Sequence, residues 1–217
     1  MKYQAVFFDL DGTVLDTLQN ITNAVNHTML HFGRPEFPAE QIKPHLGWGV
    51  DHLMRTLVPE LTAEELAEML AFYRPYYALH TTENVELYEG ILPMMETLQR
   101  RGLKLAIISN KPDNAVQPLA KRDFQGLVSL AMGETPGIAR KPAPDMLVYA
   151  ADRLKVELSA CLYVGDTEVD LQTAKNTGID CICITWGFRT REVLMQAGAV
   201  SIAENANELI RLICGQA

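Results

Sequence analysis

Long apolar runs, cysteine pairs and an excess of basic residues are all missing from this 217-residue chain. No hydrophobic stretch approaches the roughly 20 residues that cross a bilayer as a helix. The first residues lead straight into a strand-like run, without the basic region, apolar stretch and cleavage site of a secretion signal. A cytoplasmic protein with no membrane partner is expected. Lys and Arg number 19 against 27 Asp and Glu, giving a formal charge of −8. Such a surface repels nucleic acid, so no nucleic-acid partner is expected either. An anionic substrate must then be drawn in locally, by a metal ion or by placed cations. The four cysteines, Cys161, Cys181, Cys183 and Cys214, form no C-x-x-C pair. Three of them fall in strand-like runs, where buried free thiols are the expected state. Internal repeats and low-complexity linkers are absent as well.

Two textures remain. Apolar runs at residues 3–8, 103–108, 127–131, 160–164, 181–185 and, weakly, 199–202 alternate with helical patterns. Strands alternating with helices imply parallel pairing with crossover helices. The expected fold is α/β, a doubly wound (Rossmann-like) parallel sheet. Residues 16–88 carry no comparable strand signal. Leu18, Ile21, Val25, Met29 and Phe32 recur at helical spacing. Thr62 and Glu65 have capping-box spacing, with Leu61 and Leu66 placed as a hydrophobic staple. Leu66, Met69, Leu70 and Tyr73 continue that helix, which Pro75 should kink or end. An all-helical insert at 16–88, between core segments 1–15 and 89–217, is the expected organisation.

The chemistry is concentrated in Phe7-Phe8-Asp9-Leu10-Asp11-Gly12-Thr13. Side chains alternate along a strand, so Asp9 and Asp11 tend to converge at its end. That is where open α/β sheets place ligands. Gly12 lets the chain turn sharply. Two crowded carboxylates call for a cation or a shared proton. Ser109-Asn110 follows a second apolar run, Lys141-Pro142-Ala143-Pro144-Asp145 precedes a helical pattern, and Gly165-Asp166 ends another run four residues before Asp170.

In this order and on these elements, the four clusters resemble the motifs of the haloacid dehalogenase superfamily. The helical insert between the first two resembles that family's cap of the first type. The span between Lys111 and Arg140 is too short for the second, larger type. The Gly47-Trp48-Gly49 loop, the Lys141–Asp145 run and Trp186-Gly187-Phe188-Arg189 are most similar to the phosphoglycolate phosphatase-like group. Glu89-Gly90 departs from the Pro-Gly of many relatives.

The resemblance implies a role for each motif residue. Asp9 would be the nucleophile and Asp11 the general acid and base. An acid at position 11 fits phosphate-ester hydrolysis or phosphoryl transfer, since halide-displacing members lack it. Asp9, Asp166, Asp170 (directly or through water) and the Asp11 carbonyl would hold Mg²⁺. Asp170 also reads as the N3 acid of a helix begun at Thr167, and both roles can hold. Ser109 and Asn110 would bind phosphate, with helix capping as the other reading. Lys141 would neutralise charge on the phosphoryl group and separate the carboxylates. Lys111 reads equally as a surface charge. In the insert, His45, Gly47, Trp48 and Arg55 are candidate specificity contacts, ahead of Arg34, Arg74 and His80.

The expected activity is therefore Mg²⁺-dependent hydrolysis of a small phosphorylated metabolite, phosphoglycolate foremost, through an aspartyl-phosphate. A β-phosphoglucomutase-like isomerase, a pyrophosphatase or a nucleotidase shares the same catalytic set. No dense basic cluster in the insert supports binding of a sugar bisphosphate. The oligomeric state is not legible.

Overall fold

In the computed structural model, which describes residues 2–215, the chain alternates strands and helices around one parallel sheet. It begins with β1 (Ala5–Phe8) and β2 (Leu15–Asp16), then helices α1 (Leu18–His31), α2 (Ala39–Ile42), α3 (Val50–Leu57) and α4 (Ala63–His80). The strand β3 (Glu86–Leu87), α5 (Ile91–Arg100), β4 (Lys104–Pro112), α6 (Asp113–Asp123), β5 (Leu130–Glu134) and α7 (Asp145–Leu154) follow. The chain closes with β6 (Cys161–Gly165), α8 (Glu168–Thr177), β7 (Asp180–Ile184), α9 (Arg191–Gln196), β8 (Ile202–Ala203) and α10 (Ala206–Cys214). The sheet order is β5-β4-β1-β6-β7-β8, with every pairing parallel. Sequence order reverses at β1, the topological switch point where such sheets bind ligands.

Both faces of the sheet are covered, which is why its strands read as unbroken apolar runs. Val6 and Phe8 of β1 join one core cluster with Leu105 and Ile107 of β4. Ala5 and Phe7 join the opposite cluster with Ala106 and Ile108. A third cluster lies among α1–α4, built on Ile21, Val25, Met29, Leu53, Met69 and Tyr73. Phe188 and Ala115 reach it from the sheet side. Among the described residues, no helix is long and apolar enough to cross a membrane.

Four expectations need correction. The run at 127–131 forms a strand only at Leu130–Glu134, because Leu127 and Val128 donate their N–H groups back to Phe124 in a turn. The weak run at 199–202 yields only β8, Ile202–Ala203. Of the kink or end expected at Pro75, the end is ruled out: α4 runs on to His80. Proline removes the bond to the Ala71 carbonyl, but Ala71 and Pro75 are both exposed, so water can replace it, while Tyr73 and Tyr77 anchor the buried side. Finally, the insert is not strand-free: β2 and β3 pair as a short antiparallel ribbon where the chain enters and leaves the helices. At α4's start, Thr62 and Glu65 form the capping box, and Leu61 and Leu66 are buried together.

Candidate active site

β1 ends at Phe8, and the Asp9 amide donates to the Val164 carbonyl at 2.9 Å, carrying sheet pairing one residue further. The chain then turns tightly: the N–H groups of Thr13, Val14 and Leu15 all reach the Leu10 carbonyl. Gly12 sits there at φ +82°, and a Cβ would lie 2.4 Å from Asp166 Oδ2, so both backbone and space demand glycine. The turn packs directly on the end of β6. Thr13 Oγ1 donates to Asp166 Oδ1 at 2.8 Å, and the Phe188 amide donates to Asp166 Oδ2 at 2.8 Å.

Asp9, Asp166 and Asp170 are all buried, with one carboxylate oxygen of each within 4.8 Å of the others. Lys141, 2% exposed, stands among them. Its Nζ lies 2.9 Å from Asp9 Oδ1 and 2.7 Å from Asp170 Oδ1, and donates to the Tyr163 hydroxyl at 2.8 Å. Burial alone would favour a neutral amine. The Asp170 and Asp9 carboxylates outweigh it and hold Lys141 charged, above the ordinary lysine range. Burial raises Asp9, against the pull of Lys141, with Asp170 and Asp166 adding to the rise. Burial, then the neighbouring Asp170, pushes Asp166 up to about 7, against donation from Phe188 and Thr13.

Three buried carboxylates against one ammonium leave two negative charges uncompensated when all are ionised. That excess, presented by hard oxygen donors, fits a divalent ion such as Mg²⁺. Asp170 also has a structural task. Its Oδ2 accepts from the Thr167 amide at 3.0 Å and hydroxyl at 2.7 Å, closing the capping box of α8.

β4 delivers the next group. It continues through Pro112, and Pro112 itself occupies the N-cap of α6, so neither Ser109 nor Asn110 caps that helix. Ser109 is buried, its Oγ accepting from the Lys111 amide at 3.2 Å. Asn110 Nδ2 donates to the carbonyls of Lys141 at 2.9 Å and Gly47 at 3.0 Å, tying strand, loop and insert together. Lys111 is not a surface charge: its side chain is 1% exposed. Its Nζ bonds Asp11 Oδ1 at 2.8 Å and the Tyr77 hydroxyl of α4, and lies 4.5 Å from the Tyr77 ring centre.

Asp9, Asp11, Ser109, Asn110 and Lys111 open onto a cavity of about 60 Å³. Ile21, Leu46, Gly47, Gly49, Val50, Leu53, Tyr73, Tyr77 and Phe188 form its other wall. Of the insert residues singled out in the sequence, Gly47 lines this cavity, whereas His45, Trp48 and Arg55 do not. Trp48 Nε1 turns to Glu168 Oε1 at 3.2 Å, and Arg55 is exposed on α3. The loop is clamped from the sheet side instead. Arg189 donates to the carbonyls of Lys43 and Leu46 while paired with Glu168, and Arg140 grips Asp51 through two bonds of 2.5 and 2.8 Å. Tyr73, Tyr77, Lys111 and Phe188 were missed as lining residues. The signals were present in the lysine that follows Ser109-Asn110 and in the tyrosine pair at helical spacing.

Comparison with known proteins shows the family. A family model described as haloacid dehalogenase-like hydrolase matches residues 6–184. A phosphoglycolate phosphatase of Xanthomonas campestris pv. campestris is 31% identical over 188 residues, covering 86% of this chain and 85% of that protein. Phosphoglycolate phosphatase 1 of Pseudomonas aeruginosa is 29% identical, covering 94% of this chain and 78% of its own length. A crystal structure from Lactobacillus delbrueckii subsp. bulgaricus, of a protein provisionally named phosphoglycolate phosphatase, superposes with a TM-score of 0.93 at 38% identity, covering 98% of this chain and 99% of that one. The chain belongs to the haloacid dehalogenase-like hydrolase family.

Proposed function

We propose that this hydrolase is a Mg²⁺-dependent phosphatase of a small phosphomonoester, phosphoglycolate foremost, working through an aspartyl-phosphate on Asp9. The observation that carries the reading is a buried Asp9 poised for attack at the mouth of a small cavity. Its Oδ1 is occupied by the Leu10 amide at 2.7 Å and by Lys141, which leaves Oδ2 for the phosphorus. Attack there breaks the ester bond and forms the phosphoenzyme. Asp11 gives its proton to the departing alkoxide, then takes one from the water that releases phosphate.

Ser109 and the Asn110 amide hold phosphate oxygens, and Lys141 keeps Asp9 and Asp170 from repelling one another. Mg²⁺, held by Asp9, Asp166, Asp170 and the Asp11 carbonyl, would neutralise charge on the phosphoryl group. Residues 16–88 act as a cap that excludes bulk water while the phosphoenzyme stands. The four free thiols fit a reducing, cytoplasmic setting. The relatives named phosphoglycolate phosphatase support the choice of substrate. The test is phosphate release with Mg²⁺ from phosphoglycolate, pyrophosphate, sugar phosphates and nucleoside monophosphates. Phosphoglycolate should give the highest kcat/KM; a flat profile or a different leader would overturn the assignment.

A further inference from the structure

We propose that Lys111, with the Tyr77 hydroxyl, is the specificity-determining contact for a carboxylate at the far end of the substrate. This rests on the phosphatase reading above and adds to it the part of the leaving group that the cavity recognises.

The cations near the site divide the work. All three N–H bonds of an ammonium can donate, and Lys141 spends its own on Asp9, Asp170 and Tyr163. It has none left for a second anion. Lys111 has two acceptors, Asp11 and Tyr77, and its third N–H has none among the described residues. It lines the cavity while its side chain is only 1% exposed, so a ligand is the natural partner for that donor. Tyr77 draws it toward α4, on the insert side of the cavity.

The rest of that wall offers little to a charged group. Ile21, Leu46, Val50, Leu53 and Phe188 are apolar. Arg34, Arg55 and Arg74 do not line the cavity. A second phosphate would bring more charge than one lysine matches. A carboxylate one carbon away from the ester oxygen matches that single free donor. The class is a phosphorylated short hydroxy acid.

The experiment compares two esters of similar length, phosphoglycolate and the monophosphate of ethylene glycol, in which a hydroxymethyl group replaces the carboxylate. The wild-type enzyme should prefer phosphoglycolate in kcat/KM by at least about tenfold, the scale of one charge-assisted bond. In Lys111→Met that preference should collapse, mainly through KM for phosphoglycolate, whatever the loss in absolute rate. Tyr77→Phe should erode it in the same direction. Thermal melts verify folding. Should Lys111→Met not fold, wild-type inhibition by glycolate against ethylene glycol carries the same comparison, glycolate binding at least about tenfold tighter. Equal turnover of both esters by the wild type, or an unchanged ratio in Lys111→Met, overturns the role of Lys111 and leaves the phosphatase standing. Silence on both esters overturns the choice of phosphoglycolate, and silence across the whole panel above overturns the phosphatase reading itself.

Discussion

Removing divalent metal should make stability fall as pH rises, because Asp166 is pushed from 3.8 up to about 7 by burial and by Asp170. The folded chain holds that proton more tightly than the unfolded chain does. Folding is therefore favoured while the proton is bound, below about pH 4. That advantage is lost progressively as pH climbs through the folded value. About 3 units at 1.36 kcal/mol each gives on the order of 4 kcal/mol, a ceiling that water entering the site reduces. Burial raises Asp9 too, and its contribution has the same sign. Between pH 5 and pH 8 about 2 of those units are lost, roughly 2.7 kcal/mol, which for a chain of this size lowers Tm by roughly 5–11 °C. Mg²⁺ takes the place of the proton, so the ion should raise Tm more at pH 8 than at pH 5 and flatten the curve. The assay is thermal unfolding in EDTA and in excess Mg²⁺ at both pH values. A metal-free Tm that holds steady or rises toward pH 8, or an equal Mg²⁺ shift at both, would refute the reasoning.

Lys141→Met strips the counter-charge from two buried carboxylates at once. It should cost about 3–5 kcal/mol in chemical unfolding and abolish turnover. Arg189→Ala frees the loop it holds by the Lys43 and Leu46 carbonyls. It should cost about 2–3 kcal/mol and raise KM more than it lowers kcat, as steady-state kinetics would show.

The sheet was legible because a strand covered on both faces shows itself as an apolar run, and β1, β4, β6 and β7 do so. The four clusters that resemble the family motifs lie at the ends of such strands or in the loops that leave them, and the fold brings most of them to the switch point. What escaped the sequence depends on contacts between distant segments. Lys111 reads as an ordinary surface charge until Tyr77, 34 residues away, is placed against it. The direction of Trp48 is set by Gly47 at φ +108° and Gly49 at φ +90°, and its partner Glu168 lies 120 residues further on. Pro75 looks like a stop because sequence alone does not show that the carbonyl it orphans faces water. The β2–β3 ribbon is two residues long on each side, too short to leave a pattern.

The central claim is that Asp9 carries the phosphoryl group during turnover. Acid-quenching the Mg²⁺-loaded enzyme within its first turnover on phosphoglycolate, followed by mass spectrometry of its peptides, tests it directly. The account predicts one phosphoryl group on the peptide containing Asp9 in the wild type and none in a folded but inactive Asp9→Asn. A phosphoryl group on another residue, or phosphate release retained by Asp9→Asn, would contradict it.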